Sequence, residues 1–148
     1  RGCQQREGID FDEIFSPVVG SDALRLMLAY STKKGFHLSK FDVKTAFLYG
    51  EVKEELYMEL PDGYEDRSKI CRLQKALYGL RQAPSCWNKR LTKFLGEKGF
   101  KQLKTEQCVF TNNNHSMFIA VHVDDGLIAG KDQDKMKKFL MSLREEFK

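Results

Sequence analysis

Residues 119–130, Ile-Ala-Val-His-Val-Asp-Asp-Gly-Leu-Ile-Ala-Gly, constrain this chain more than any other stretch. Nine of the twelve are apolar or glycine, yet Asp124 and Asp125 stand side by side among them. The upstream arm, Phe118 to Val123, is apolar on both alternating faces, as in an interior strand. Leu127 to Ala129 reads as a second strand, so the aspartates fall at a tight turn between two central strands. Asp125-Gly126 alone is ordinary hairpin chemistry and would suit a type I′ turn. A third carboxylate raises the stakes. Asp42 closes a strand read over 36–43, which the order of elements places beside the hairpin. Facing positions on neighbouring strands bring Cβ atoms to ~5 Å. Two carboxylates ~4 Å apart repel by roughly 4 kcal/mol at an effective dielectric near 20. A domain holds only ~5–15 kcal/mol in total. Such a cluster must take up protons, gain cationic partners or bind metal. An all-oxygen donor set suits Mg²⁺ or Mn²⁺ rather than zinc. That points to two-metal phosphoryl transfer.

Composition limits the alternatives. The 148 residues, 41% hydrophobic, are enough for one globular domain. Lys plus Arg exceed Asp plus Glu by 25 to 21, a net charge of +4 that is compatible with nucleic acid without arguing for it. No apolar run approaches the ~20 residues needed to span a bilayer. Cys3, Cys71, Cys86 and Cys108 form no C-x-x-C pair. With His37, His115 and His122 they make no zinc-like spacing, which favours reduced thiols. A start at Arg1 and an end at Lys148 inside a helical pattern read as an excerpt from a longer polypeptide.

Periodicity sets the order of elements. Residues 1–20 read as a loop. Ser21 caps a helix carrying Leu24, Met27, Leu28 and Tyr30, and Gly35 stops it. A strand spans 36–43, and a half-exposed strand follows at 56–60. Pro84 opens a helix with Trp87, Leu91, Phe94 and Leu95 on one stripe, ended by Gly99. Strands at 108–111 and 116–123 join through Asn112-Asn113-Asn114. Asp132 caps a closing helix bearing Met136, Phe139, Leu140 and Leu143. From residue 36 onward the long elements run strand, helix, strand, tight turn, strand, helix. This is most of a split β-α-β ferredoxin-like unit: an α+β fold, an antiparallel sheet with helices packed on one face.

At these residues the chain resembles a known family. "FDVKTAFLYGEVKEELYMELPDGY", "CRLQKALYGLRQAPSCW" and "VHVDDGLIAG" occur in the order seen in copia-type LTR retrotransposon Pol polyproteins, and the opening "REGIDFDEIFSPVV" is similar too. The match covers essentially the whole chain. It implies one reverse transcriptase domain truncated at both ends, with 1–35 and 50–80 as partial fingers and 36–49 and 81–148 as polymerase palm. The implied activity is RNA-directed DNA polymerisation, transferring a nucleotide from dNTP to a primer 3′-OH on an RNA or DNA template.

Roles follow position by position from that resemblance. Asp42, Asp124 and Asp125 match the catalytic aspartates, which with Val43 would hold two Mg²⁺ ions, Mn²⁺ being an alternative. Lys44, Thr45 and Ala46 would cradle the triphosphate through backbone N–H groups. Phe47 matches the aromatic that stacks beneath the incoming sugar and blocks a 2′-OH. Gly79 would permit close backbone approach and Arg81 would pair a phosphate. Tyr78, Gln82, Pro84, His122 and Val123 would touch template or primer. Integrase, RNase H and protease domains of the same polyprotein are the implied partners. The implied location is intracellular, in a cytoplasmic virus-like particle or the nucleus.

Two departures stand out. His122 replaces the tyrosine usual before Val-Asp-Asp. The upstream finger strand, the last palm strand, the thumb and RNase H would lie outside these residues, so the chain alone is expected to be non-processive. Three other readings compete. One is a non-catalytic ferredoxin-like nucleic-acid-binding module. Another is an inactive transposon relic. The third, a cyclase-like palm, would not require "LYGLRQAP" or Phe47.

Overall fold

The computed structural model describes residues 2–64 and 68–148. Contacts cluster into two compact units: Arg1–Ser16 with Phe47–Arg90, and Pro17–Ala46 with Leu91–Lys148. These bounds differ from the expected ranges at 17–35, 47–49 and 81–90. Residues 1 and 65–67 of those ranges lie outside the described residues.

The second unit carries the hairpin. Its five-stranded antiparallel sheet has the order β1-β7-β6-β5-β4, with β1 at His37–Asp42, β4 at Phe100–Gln102, β5 at Val109–Asn112, β6 at Met117–His122 and β7 at Asp125–Gly130. β1 lies directly against β7, the neighbour expected for the strand that ends in Asp42. β6 is interior, flanked by β5 and β7, as its apolar faces require. Ile119, Ala120, Ile128 and Ala129 are at most 2% exposed, so the aspartate turn grows out of the driest part of the sheet.

Pleating sends successive side chains to opposite faces. Ala129 joins Met27, Val109 and Ala120 in a cluster beneath α1 (Ser21–Lys33). Gly130, the next residue, meets Met136 of α3 (Gln133–Glu146) on the other face. Phe94, late in α2 (Ala83–Glu97), packs edge-on to Phe147 at 5.2 Å and tilted to Phe139 at 6.3 Å. The second half of α2 therefore shares a face with α3, as expected for the elements after residue 36. α1 covers the opposite face, so one-sided helix packing does not describe the sheet as a whole. The reason is local: Phe36, Phe118 and Leu127 present apolar surface on that side, and α1 seals it.

Helix ends obey simple chemistry. Asp132 accepts hydrogen bonds from the N–H groups of Asp134 and Lys135, the expected cap of α3. Ser21 turns out to be the first helical residue of α1. Gly20 holds the cap position and gives no side-chain bond.

The first unit contains a two-stranded antiparallel sheet, β2 (Tyr57–Glu59) on β3 (Ile70–Arg72). Its N-terminal segment is more than a loop. Gln5 bonds Gln82 and the backbone N–H of Arg81, the Arg81 Nε donates to the Gly2 carbonyl, and the Gln82 amide donates to the Asp10 carbonyl. Lys89 and Glu13 add an exposed ion pair at 2.8 Å.

Candidate active site

The β1–β7 ladder pairs Asp42 with Asp125, and the β6–β7 ladder pairs His122 with the same Asp125. Directly opposed residues of an antiparallel pair share a face. His122, Asp125 and Asp42 therefore form a row across three strands at the end of the sheet, and all three are exposed. Adjacent members have Cβ atoms ~4.5–5.5 Å apart. Asp124, in the turn, is half-buried. Its carbonyl accepts the Val43 N–H at 3.0 Å, tying the end of β1 to the turn.

Exposure changes the electrostatic argument. In water the repulsion of two charges ~4 Å apart falls to ~1 kcal/mol. The fold tolerates the facing carboxylates because they sit at the wet rim of an apolar sheet. The run wants burial, and the charges mark where it leaves the core.

The turn differs from the expected Asp-Gly type. Because His122 pairs with Asp125, the central residues are Val123 and Asp124. Val123 has φ +59°, a conformation that a β-branched side chain rarely adopts. Gly126 lies inside β7 and supplies no turn dihedral. Its missing side chain has another use: a Cβ there would overlap Cζ, Cε1 and Cε2 of Phe41.

Among the described residues, no three carboxylate, histidine or cysteine groups lie close enough to hold a metal ion. The expected three-aspartate cluster is thus not closed in this arrangement: Asp42 and Asp125 face each other across the ladder, and Asp124 lies in the turn between β6 and β7. Two facing carboxylates are nonetheless the usual protein share of a Mg²⁺ shell that phosphates complete. The donor set fits such an ion. Beside the pair lies a groove of about 290 Å³, lined by Lys40, Phe41, Leu140, Leu143 and Arg144 along with both aspartates.

The residues after Asp42 divide by burial. Val43 and Ala46 are at most 2% exposed, so their side chains belong to the core and only their backbone groups remain for a ligand. Lys44 and Thr45 are exposed, and Thr45 takes φ +54°.

In the first unit, Phe47 packs against Tyr78 with ring centroids 4.6 Å apart. Tyr78 is 55% exposed, and Gly79 has φ +99°, which glycine alone adopts freely. Arg81 sits 5.5 Å over the Phe11 ring while bonding Gly2. Gln82 is 2% exposed with its amide engaged at both ends. The Gln82 side chain thus binds the N-terminal segment through Gln5 and the Asp10 carbonyl. Pro84 is half-buried in the first turn of α2.

Comparison with known proteins settles the family. The family model for reverse transcriptase (RNA-dependent DNA polymerase) matches residues 1–148. The chain belongs to the reverse transcriptase family. It is 39% identical over 99% of its length to the retrovirus-related Pol polyprotein from transposon TNT 1-94 of Nicotiana tabacum, covering 12% of that relative. It is 36% identical, again over 99%, to the Pol polyprotein from transposon RE2 of Arabidopsis thaliana, covering 10%. Over 84% of the chain it is 30% identical to the truncated transposon Ty1-A Gag-Pol polyprotein of Saccharomyces cerevisiae, again covering 10% of that relative. It therefore spans only about a tenth of the relatives it matches. No solved structure matches.

Two residues escaped the sequence reading. Phe41 and Gly126 are paired in register immediately before Asp42 and Asp125. Only the cross-strand register reveals them.

Proposed function

We propose that this chain is the palm-centred part of an RNA-directed DNA polymerase that performs two-metal nucleotidyl transfer. The observation that carries the reading is the direct register of Asp42 opposite Asp125, with Asp124 tied to the end of β1. Asp42 and Asp125 would hold Mg²⁺, joined by Asp124 and the Val43 carbonyl when phosphates complete the shell. The bound ions would lower the pKa of the primer 3′-OH and stabilise the leaving pyrophosphate. The protein's own share is positioning and charge neutralisation; no covalent intermediate is required. The exposed Lys44 and Thr45 segment is assigned to the triphosphate. Phe47, five residues along the chain from Asp42, is assigned to exclusion of the 2′-OH, with Tyr78 braced against it.

RNA template, DNA primer and dNTP are the proposed substrates. The proposed partners are the other domains of a Pol polyprotein. The test is Mn²⁺ binding to the chain, followed by the electron paramagnetic resonance of the free ion. Asp42→Asn and Asp125→Asn should each weaken binding by at least about tenfold. Binding that ignores both substitutions would remove the metal reading. The 148 residues alone should give little processive primer extension, and robust extension by them would contradict the assignment.

A further inference from the structure

We propose that Phe41 and Gly126 are a positioning pair that holds the Asp42 and Asp125 carboxylates side by side. The proposal rests on the metal reading above and adds to it residues that touch neither ion nor substrate.

β1 is an edge strand, and among the described residues the ladder that orders it is the one with β7. A one-residue slip in that ladder would send Asp42 to the opposite face, away from Asp125. The ladder is weak where it matters. Gly126 sits one position from Asp125, and glycine in a strand has no side chain to pack and more freedom to lose. The Phe41 ring repairs this defect. It occupies the volume that a side chain at 126 would fill, lying over a glycine that is itself buried. Phe41 also lines the groove together with Leu140 and Leu143 of α3. Beyond the aspartates the Val43–Asp124 hydrogen bond closes the other side. The facing carboxylates are thus bracketed by a ring over a glycine before them and a backbone bond after them. Because pleating alternates, the ring and the carboxylates stand on opposite faces of the sheet. The device needs no contact with the reacting groups.

The test is Mn²⁺ affinity of the 148-residue chain, read by paramagnetic resonance at denaturant-free conditions where urea titration shows each variant folded. Phe41→Ala and Gly126→Val should each weaken Mn²⁺ binding about tenfold, the scale on which groups behind metal ligands act. Phe41→Tyr keeps the ring and should bind as the parent does. The double variant Phe41→Ala/Gly126→Val restores bulk from the opposite strand and should recover part of the loss. If folded Phe41→Ala binds Mn²⁺ as tightly as the parent, the positioning role is refuted. If Gly126→Val does not fold, the comparison of Phe41→Ala with Phe41→Tyr decides alone. Failure of the metal reading looks different: the parent chain would then bind no Mn²⁺, or would bind it equally well as Asp42→Asn.

Discussion

Val123 supplies the sharpest prediction. A β-branched residue at φ +59° in the turn stores strain of about 1–3 kcal/mol. Asparagine tolerates this conformation and keeps a side chain of similar size. Val123→Asn should therefore stabilise the chain by about 1 kcal/mol, the lower end of that strain. For roughly 150 residues this is a rise of about 2–4 °C in Tm. Val123→Gly relieves the same strain, but glycine costs about 0.5–1 kcal/mol more in lost freedom. It also gives up the contacts of a half-buried isopropyl group, at about 0.8 kcal/mol per buried methylene. The glycine variant should come out near neutral. The assay is urea unfolding with the slope m monitored, so that a shift in midpoint reports stability alone. The expected order is Asn above Gly and Val, the latter two close together. A loss of stability by Val123→Asn would show that the turn is not strained and would refute the reasoning.

Hydrogen bonds from the N–H of Lys135 chiefly, and of Asp134, hold the Asp132 carboxyl below the usual carboxylate range. Its contribution is therefore present above the unfolded pKa and lost as pH falls through the folded value, so the stability gap between parent and Asp132→Ala should shrink as pH falls below about 4 in urea titrations. Burial pushes the Cys108 thiol up to about 11, so a thiol reagent at neutral pH should label exposed Cys3 in the native chain and reach Cys108 only on unfolding. In a polymerase-competent polyprotein, Phe47→Ala should raise ribonucleotide incorporation about ten- to hundredfold, the range of steric discrimination. Unchanged selectivity in single-nucleotide extension would remove the gate assignment.

The β6–β7 hairpin was legible because its apolar runs leave few other pairings. The neighbour relation of Asp42 followed from element order. The turn itself was not legible. Asp125-Gly126 has the local chemistry of a hairpin turn, yet the glycine serves a phenylalanine 85 positions earlier in the chain, and local patterns carry no trace of so distant a partner. β3 and β4, three residues each, are too short to show a strand period and are held as strands by pairing with β2 and β5. Gln82 was expected among the template or primer contacts. Its contacts with Gln5 and Asp10, distant along the chain, hold its side chain inside. Charge repulsion among the aspartates was overestimated because a sequence does not say which end of a buried strand reaches water.

One flank of the five-stranded sheet has consequences at the bench. Among the described residues, the outer side of β1 has no strand against it, and Leu38 beside that flank is 46% exposed. Open rows of amide and carbonyl groups recruit other extended segments. Lys40 is the single lysine on β1 that opposes this. Concentrated preparations should self-associate through this border and aggregate as the concentration rises. A second lysine in place of Leu38 should suppress that without touching either aspartate.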